Sequence, residues 1–417
     1  MSWLSDYIKQ LLTPLCLLTA VPVMANTWQV HAGGTLSSVQ QAIDAAQPGD
    51  TILVYKGIYR EKTITVNKAL YLKGIDYPVL DGERKYEILS IKHNNVTVEG
   101  FLVQHSGYSG YNDIAAIRIY NCSHVIVRNN TLHDTFFGIY SQHANNCIIA
   151  GNRIRSNAVS EINSANGIHC WKSDSMQITG NTITGHRDGI YFEFVTNSVI
   201  KGNNSFNNVR YGLHFMFSHN DSYIENHFTE NGAGVAVMFS HGVTMFRNVF
   251  TKNWGGAAYG ILLKEISDSR IEENRFTNNT VGIYMEGTSR INVYHNSFDN
   301  NGWAMKIQAS CDDNDIAGNN FLGNSFDVAT NGSLVLNRFR KNYWDKYEGY
   351  DLDRNGLGDV PYRPVSVYAM IAEKNPATMM LFRSFMVMLL DKSEKIIPGI
   401  IPENLKDDTP VMKPIRW

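Results

Sequence analysis

A tetrapeptide with two potential copper ligands occurs twice in this chain. Met-Phe-Ser-His begins at Met216 and again at Met238, 22 residues later, and it ends at His219 and His241. Thioether sulfur is a soft ligand that favours Cu(I), and imidazole also binds copper. If 22 residues make one turn of a repetitive fold, the two copies lie about 4.8 Å apart. The pattern therefore predicts a copper site at these four residues, with His214 as an additional ligand.

Columns of equivalent residues support an outward position for these side chains. The Met216 and Met238 column alternates with apolar positions and otherwise contains Tyr120, Gln142, Trp171, Glu193, Lys264 and Glu286. The column of His219 and His241 otherwise contains Ser123, Asn145, Asp174, Thr196, Ser267 and Ser289. The alternative to a metal site is a ladder of solvent-facing side chains without a ligand.

The spacing within each tetrapeptide limits the geometry of a shared site. Met216 and His219 are three residues apart, which in an extended strand is about 10 Å and puts them on opposite faces. They can share one metal ion only if the chain bends near Ser218. Otherwise Met216 pairs with Met238 along the repeat axis, and His219 pairs with His241.

The elements that must position these residues follow from the repeats between about residues 115 and 340. One mark is Asn-x-hydrophobic, which begins at Asn130, Asn152, Asn181, Asn204, Asn226, Asn248, Asn274, Asn296 and Asn337. A second mark is Gly-apolar, at Gly138, Gly167, Gly189, Gly212, Gly234, Gly260 and Gly282. A period near 22 residues without helical periodicity predicts an all-β, right-handed parallel β-helix. The predicted inward positions are Ile190, Phe192, Phe194, Leu213, Phe215, Phe217, Ile283 and Met285.

Four segments are predicted along the chain. Residues 1–25 resemble a secretory signal, with an apolar stretch and cleavage after Ala25; a membrane anchor is the alternative. Residues 26–90 form an N-terminal cap with a short helix over 38–46 and the first coils. Residues 91–345 form the β-helix, and residues 346–417 a C-terminal Asp/Gly loop followed by a Met-rich tail. The signal predicts export of the chain.

Composition restricts the function further. The 417 residues carry a net charge of −2, which does not support nucleic-acid binding. Cys122, Cys147, Cys170 and Cys311 lack the spacing of a metal site or of disulfide pairs, so buried free thiols are expected.

Two C-terminal features suggest further binding sites. Asp351, Asp353, Asn355 and Asp359 resemble the start of a calcium loop, although Tyr362 replaces its closing Glu. A plain Asp- and Asn-Gly turn is an equal alternative. The apolar segment 369–390 contains several methionines, which suit adaptable partner contacts, and it is predicted to be a docking segment. Packing back on the β-helix is its alternative.

A polysaccharide-cleaving β-helix is a different class of function for the same architecture. Such enzymes place an acid and a base on an outward face. The candidate residues here are His186, Arg187, Asp188, Glu193, Lys264, Glu265, Glu286. A purely structural adhesin or tailspike, which needs no ligand column, is a third class.

Two stretches resemble the NosD family. One is Tyr-Gly-Leu-His-Phe-Met-Phe-Ser-His-Asn-Asp at 211–221, and the other is 342–362, which begins Asn-Tyr-Trp-Asp-Lys-Tyr-Glu-Gly. The similarity extends over nearly the whole chain. It implies a periplasmic, non-enzymatic component of an ABC-type system that receives Cu(I) and passes it on for assembly of nitrous oxide reductase.

The resemblance also implies partners. These are an ABC permease and ATPase, a copper chaperone lipoprotein and nitrous oxide reductase, with the chain peripheral to the membrane through them. The sequence contains no P-loop, so ATP hydrolysis is expected in another subunit.

Overall fold

Three parallel sheets wound from successive turns make up the protein. The computed structural model describes residues 25–109, 111–162, 164–332, 336–382, 384–396 and 405–416. The predicted signal therefore lies outside the described residues, except for its last residue.

Within these residues the chain forms strands that are numbered here in chain order. They are β1 Thr27–Val30, β2 Thr51–Val54, β3 Ile58–Tyr59, β4 Ile64–Val66, β5 Tyr71–Gly74, β6 Val79–Asp81, β7 Leu89–Ile91, β8 Thr97–Glu99, β9 Leu102–Gln104, β10 Ala115–Tyr120, β11 Ile126–Arg128, β12 Thr131–His133, β13 Phe137–Gln142, β14 Ile148–Ala150, β15 Arg153–Arg155, β16 Ile168–Trp171, β17 Gln177–Thr179, β18 Thr182–Thr184, β19 Asp188–Glu193, β20 Val199–Lys201, β21 Asn204–Phe206, β22 Tyr211–Met216, β23 Ser222–Ile224, β24 His227–Thr229, β25 Ala233–Met238, β26 Thr244–Phe246, β27 Val249–Thr251, β28 Tyr259–Lys264, β29 Arg270–Glu272, β30 Arg275–Thr277, β31 Val281–Glu286, β32 Asn292–Tyr294, β33 Ser297–Asp299, β34 Trp303–Ile307, β35 Asp312–Ala317, β36 Asn320–Leu322, β37 Phe326–Ala329, β38 Leu336–Arg340 and β39 Tyr343–Trp344. The helices are α1 Val39–Ala45, α2 Val367–Lys374, a 3-10 helix Pro376–Leu381 and α3 Phe385–Ile396.

Each turn contributes one strand to each sheet. Sheet A stacks β1, β2, β5, β8 and every third strand to β38; sheet B runs from β3 to β39 and sheet C from β4 to β37 in the same way. All strand pairs between neighbouring turns are parallel, as in the pairing of β22 with β25. The predicted right-handed parallel β-helix is confirmed.

The hydrophobic core lies inside the β-helix, where every second strand residue points inward. Aromatic side chains stack along the axis in sheet B, from Phe228 through Phe250, Phe276, Phe298 and Phe321 to Trp344, with neighbouring ring centroids 4.0–5.4 Å apart. Met245 and Met285 are fully buried, as expected for inward positions. The described cysteines are free and buried, which confirms that prediction.

Stacked asparagines satisfy backbone N–H groups at one corner of the turns from Asn130 to Asn342. Each backbone N–H in the main ladder donates to the side-chain oxygen of the next member, through Asn130, Asn152, Asn181, Asn203, Asn226, Asn248, Asn274, Asn296, Asn319 and Asn342. Two predicted members were wrong. Asn204 is an exposed neighbour of the true member, and Asn337 stacks on Asn314 at another corner. The Asn-Asn pair at 203–204 and the loss of period near 337 shifted the predicted register.

Both ends of the winding are closed. At the N-terminal end, α1 begins after Ser38, whose hydroxyl accepts the N–H of Gln41, and it buries Val39, Ala42 and Ile43. This confirms the predicted capping helix. At the other end, Asp407 accepts the N–H of Asn342 and so terminates the asparagine ladder.

The outward face of sheet C is covered at two levels. Ala165 packs against Phe137 and Tyr140 near one end. Near the other, Tyr368 and Ala369 of α2 belong to a cluster that includes strand residues from β31, β34 and β37. Neither cluster includes a residue of β19, β22 or β25. The Met-Phe-Ser-His repeats therefore lie between the two covered parts of sheet C.

Candidate metal site

The two methionines stand side by side at the ends of neighbouring strands. Met216 of β22 is the direct register partner of Met238 in β25, and both side chains are half-buried rather than part of the core. Register partners in adjacent turns lie about 4.8 Å apart. The column predicted for them is confirmed over its full length, from Tyr120 to Glu286.

A bend in the chain brings the histidines to the outer surface. Phe217 has φ 51°, and the equivalent Phe239 has φ 54°, in the left-handed region that non-glycine residues adopt rarely. The next residue, Ser218, is fully buried, and its hydroxyl accepts the N–H of Val195 at 3.1 Å. His219 then points outward again. The bend that a shared Met–His site requires therefore exists, one residue before the predicted position.

The same bend overturns two predicted core positions. Phe194 and Phe217 were expected to point inward, but Phe194 is 43% exposed and Phe217 is half-buried. Both follow the last residue of a strand, and their left-handed conformation turns the side chain out of the winding. Phe194, Phe217 and Phe239 instead stack in an exposed strip with centroids 5.2 and 5.1 Å apart. This phenylalanine strip separates the methionine pair from the histidine pair along the chain.

The histidine pair is a stacked pair of imidazoles. The ring centroids of His219 and His241 are 4.1 Å apart and the rings are inclined by 11°. The backbone N–H of His241 donates to Nδ1 of His219 at 3.3 Å, so Nδ1 is unprotonated. Burial, together with the charge of His241, lowers the pKa of His219 below its usual value. A neutral imidazole is the form that binds metals, so His219 needs little proton loss to act as a ligand.

A metal site at these residues needs the thioethers of Met216 and Met238 as ligands. Among the described residues, no three or more His, Cys, Asp or Glu side chains are grouped so that they could hold a metal ion. Imidazoles and thioethers are the donor types that suit Cu(I). The sulfur of Met216 already accepts the hydroxyl of Tyr191 at 3.7 Å, a weak bond that leaves a second lone pair free. We call Met216, Met238, His219 and His241 the Met–His patch.

The structure separates His214 from the Met–His patch. It lies on the neighbouring outward column, but only 5% of it is exposed, and its ring packs between Tyr191 and Tyr211 at 4.7 and 4.8 Å. Its predicted role as an additional copper ligand stays a prediction.

The acidic loop after the winding forms its own hydrogen bonds. Asp351 accepts the N–H groups of Asn355 and Gly356, and Asp359 accepts that of Leu352. Asp353 accepts the side-chain amide of Asn355. Calcium would have to compete with these donors for the same oxygens. Calcium binding at Asp351, Asp353, Asn355 and Asp359 stays a prediction.

The residues considered for polysaccharide cleavage lie on two parts of the β-helix, around β19 and around β28 and β31. Lys264 and Glu286 form an exposed ion pair at 3.3 Å. Asp188 and His186 are buried, so neither faces an open groove.

The phenylalanine strip is the part of the patch that sequence reasoning missed. A signal for it was present, because its column otherwise contains polar residues such as His143, Lys172 and Glu265, all with positive φ. Polar neighbours in one column indicate an outward position, even for phenylalanine.

Fold and patch together define a parallel β-helix protein with a candidate soft-metal face. The family model described as periplasmic copper-binding protein (NosD) matches residues 159–350. A Pseudomonas aeruginosa protein named probable ABC transporter binding protein NosD is 28% identical, covering 84% of this chain and 85% of the relative. A protein of the same name from Stutzerimonas stutzeri is 29% identical over 29% of this chain and 28% of the relative. The chain is therefore similar to the NosD family.

Solved structures confirm the fold alone. The surface adhesin PfbA of Streptococcus pneumoniae has a TM-score of 0.54 at 14% identity, covering 73% of this chain and 86% of that one. The catalytic domain of a GH87 α-1,3-glucanase has a TM-score of 0.59 at 12% identity, covering 78% and 70%. None of the helices in the described part of the chain combines the length and apolar character needed to cross a bilayer.

Proposed function

We propose that this protein binds Cu(I) at the Met–His patch and passes it on in the periplasm. The observation that carries the proposal is the register of two identical Met-Phe-Ser-His copies, with Met216 beside Met238 and His219 stacked on His241. The description of the family as copper-binding supports the same metal.

The donor set suits transfer better than storage. The thioethers are half-buried and His241 is exposed, so a partner's ligands can reach the ion. Neutral soft ligands hold Cu(I) without the added charge of thiolates. We infer that copper passes from a chaperone lipoprotein to the Met–His patch and then towards nitrous oxide reductase, while a partner ATPase hydrolyses ATP. The chain itself catalyses no covalent reaction in this scheme.

Removing the methionine pair tests the copper site. Replacing Met216 and Met238 by Leu keeps side-chain volume but removes both soft donors, so Cu(I) affinity is expected to fall at least tenfold. The matched control replaces the buried Met245 and Met285 by Leu, which leaves the patch unchanged. Competition with a chromogenic Cu(I) chelator under anaerobic conditions gives both affinities.

The proposal is wrong if the two double variants bind Cu(I) equally well, or if the parent binds none. Incubation of the same parent protein with polyuronates supplies the opposing test. Release of unsaturated or reducing ends would instead identify a polysaccharide-cleaving enzyme.

We also propose that the tail docks on the membrane subunit. The sequence left docking and packing on the β-helix as alternatives, and part of the segment is buried while part is exposed. Ala369 and Ala372 are buried on the winding, and Phe382 packs with Phe326. In contrast, Met380 is 91% exposed, as are large parts of Phe385, Met386, Met388 and Leu389. The exposed residues form the proposed docking face.

Truncation is not a usable test of docking. A chain ending before Ala369 would lose more than the exposed face. It would also remove Asp407, which caps the asparagine ladder, and the segment that pairs with Tyr343 and Leu357. Loss of stability would then be confused with loss of docking.

Substitutions on the exposed face avoid this difficulty. Replacing Met380, Phe385 and Met386 by Ser should abolish copurification with the permease. The apolar contact is then lost, while Asp407 still caps the asparagine ladder. The control replaces Val159 and Ile162, which are 94% and 88% exposed on a distant loop, by Ser. Equal copurification of the two variants would exclude this face.

A further inference from the structure

Buried polar atoms without a hydrogen-bond partner concentrate at one place in the winding. Among the described residues they include atoms of His169, His186, Arg187, Asp188 and His214, which lie on three successive turns. Buried polar groups are nearly always paired in folded proteins. A concentration of unpaired nitrogen and oxygen atoms therefore indicates that a ligand belongs there.

Asp188 and His214 form the centre of this group. Oδ1 of Asp188 accepts the N–H of Tyr211 at 3.3 Å, while Oδ2 lies 3.6 Å from Nδ1 of His214. Asp188 is fully buried, and 5% of His214 is exposed. A separation of 3.6 Å is too long for a hydrogen bond. Neither atom has a hydrogen-bond partner, so the two face each other without a hydrogen bond between them.

The size of this gap fits two ligands of one metal ion. Zn²⁺ binds imidazole nitrogen at about 2.0–2.1 Å and carboxylate oxygen at about 2.0–2.2 Å. Two such ligands at the tetrahedral angle of zinc lie roughly 3.4 Å apart, close to the 3.6 Å between these two atoms. We propose that Asp188 and His214 bind a divalent transition-metal ion, Zn²⁺ or Cu²⁺, beneath the surface of sheet C.

The charges around the pair determine how strongly it binds. Nε of Arg187 is also 3.6 Å from Oδ2 of Asp188, and its positive charge opposes a cation. However, the side chain of Arg187 is 30% exposed and its terminal nitrogen donates to Asn166 at 3.1 Å, so part of that charge is solvated. With only two protein ligands, the ion keeps positions for water, and weak, exchangeable binding is expected.

This inner site is chemically distinct from the Met–His patch. Its nitrogen and oxygen donors suit borderline divalent ions, whereas thioethers suit Cu(I). Tyr191 stands between the two: its ring packs on His214 at 4.7 Å and its hydroxyl donates to Met216. The inner site does not depend on the proposed function, since it uses none of the four patch residues.

Zn²⁺ titration of the full chain lacking the patch ligands tests the inner site. The starting variant carries Met216→Leu, Met238→Leu, His219→Ala and His241→Ala, and it is expected to bind one Zn²⁺ by isothermal titration calorimetry. Adding D188N, which keeps the acceptor for the Tyr211 N–H, should weaken binding at least tenfold. H214F should do the same.

A matched control and a spectroscopic measurement make the outcome decisive. His169→Gln changes a neighbouring buried imidazole on the same column, and it should leave Zn²⁺ affinity unchanged. Cu²⁺ bound to the starting variant should show hyperfine coupling to one nitrogen by electron paramagnetic resonance, lost in H214F. No bound Zn²⁺ in the starting variant, or equal binding by D188N, would mean that the gap holds a buried water only and would overturn the proposal.

Discussion

Asp407→Ala is expected to lower the free energy of unfolding by about 3–5 kcal/mol, because several buried donors lose their acceptor at once. Its carboxylate accepts the backbone N–H groups of Lys341, Asn342 and Thr409 and the side chains of Asn342 and Trp344, at 2.9–3.1 Å. Asp407 itself is fully buried. Asp407 therefore accepts the backbone N–H of the last ladder asparagine, as each asparagine does for the ladder member before it.

Two further variants separate capping from simple loss of charge. Asp407→Asn resembles the ladder members below it and keeps one acceptor oxygen, so a smaller loss of about 1–2 kcal/mol is expected. Asp408→Ala removes a carboxylate that pairs with Lys406 at the surface, and it should change stability little. Urea denaturation measures all three. Equal effects of Asp407→Ala and Asp408→Ala would show that the ladder does not need this cap.

Asp221→Asn is expected to stabilise the protein by about 4 kcal/mol at pH 7. Asp221 is fully buried. Its Oδ1 accepts the N–H of Ser198 at 2.8 Å, and its Oδ2 has no hydrogen-bond partner. Burial raises the pKa of Asp221 from 3.8 to about 8. The folded protein must therefore keep a proton there that the unfolded chain releases.

The pH dependence gives the sign of this effect. Between pH 3.8 and about 8 the folded state binds more protons at Asp221 than the unfolded state does, so its contribution to stability falls as pH rises. The gain from Asp221→Asn should consequently be large at pH 7 and vanish below about pH 4. Thermal unfolding of parent and variant across this range measures it.

Asp174 provides a control in which the pKa of a carboxyl is lowered instead of raised. Hydrogen bonds from Thr196, Ser175 and Asn197 outweigh burial and lower its pKa. Asp174→Asn should therefore destabilise the protein at pH 7, and the loss should diminish as pH falls below the ordinary aspartate pKa. A stabilising Asp174→Asn, or an Asp221→Asn gain that persists at pH 3, would contradict this account of the two carboxylates.

The β-helix and the columns of the Met–His patch could be predicted from the sequence. Equivalent residues recur at a nearly constant interval, and parallel turns must place them one above another. Met216 and Met238 were therefore paired correctly without any knowledge of side-chain contacts. The capping helix α1 followed equally from Ser38 before an apolar run.

The direction of individual side chains depended on features that alternation does not reveal. Phe217 was expected inside because it continues the alternation of β22, but the strand ends at Met216 and the chain turns through a left-handed residue. The depth of His214 also escaped prediction. It results from packing against Tyr191, one turn away, and Tyr211 on its own strand. Asp407 was missed because it returns to the ladder from 65 residues further along the chain.

The Met–His patch and the tail occupy one sheet at a fixed spacing. Met238 lies on β25, and Lys306, which pairs with Glu373 of α2, lies on β34, three strands further along sheet C. At about 4.8 Å per turn, the winding acts as a ruler that sets an axial offset of roughly 14 Å. A membrane partner seated on the tail would therefore meet copper at a defined height. Deleting one complete turn between them would shorten that height by about 4.8 Å while leaving both surfaces intact.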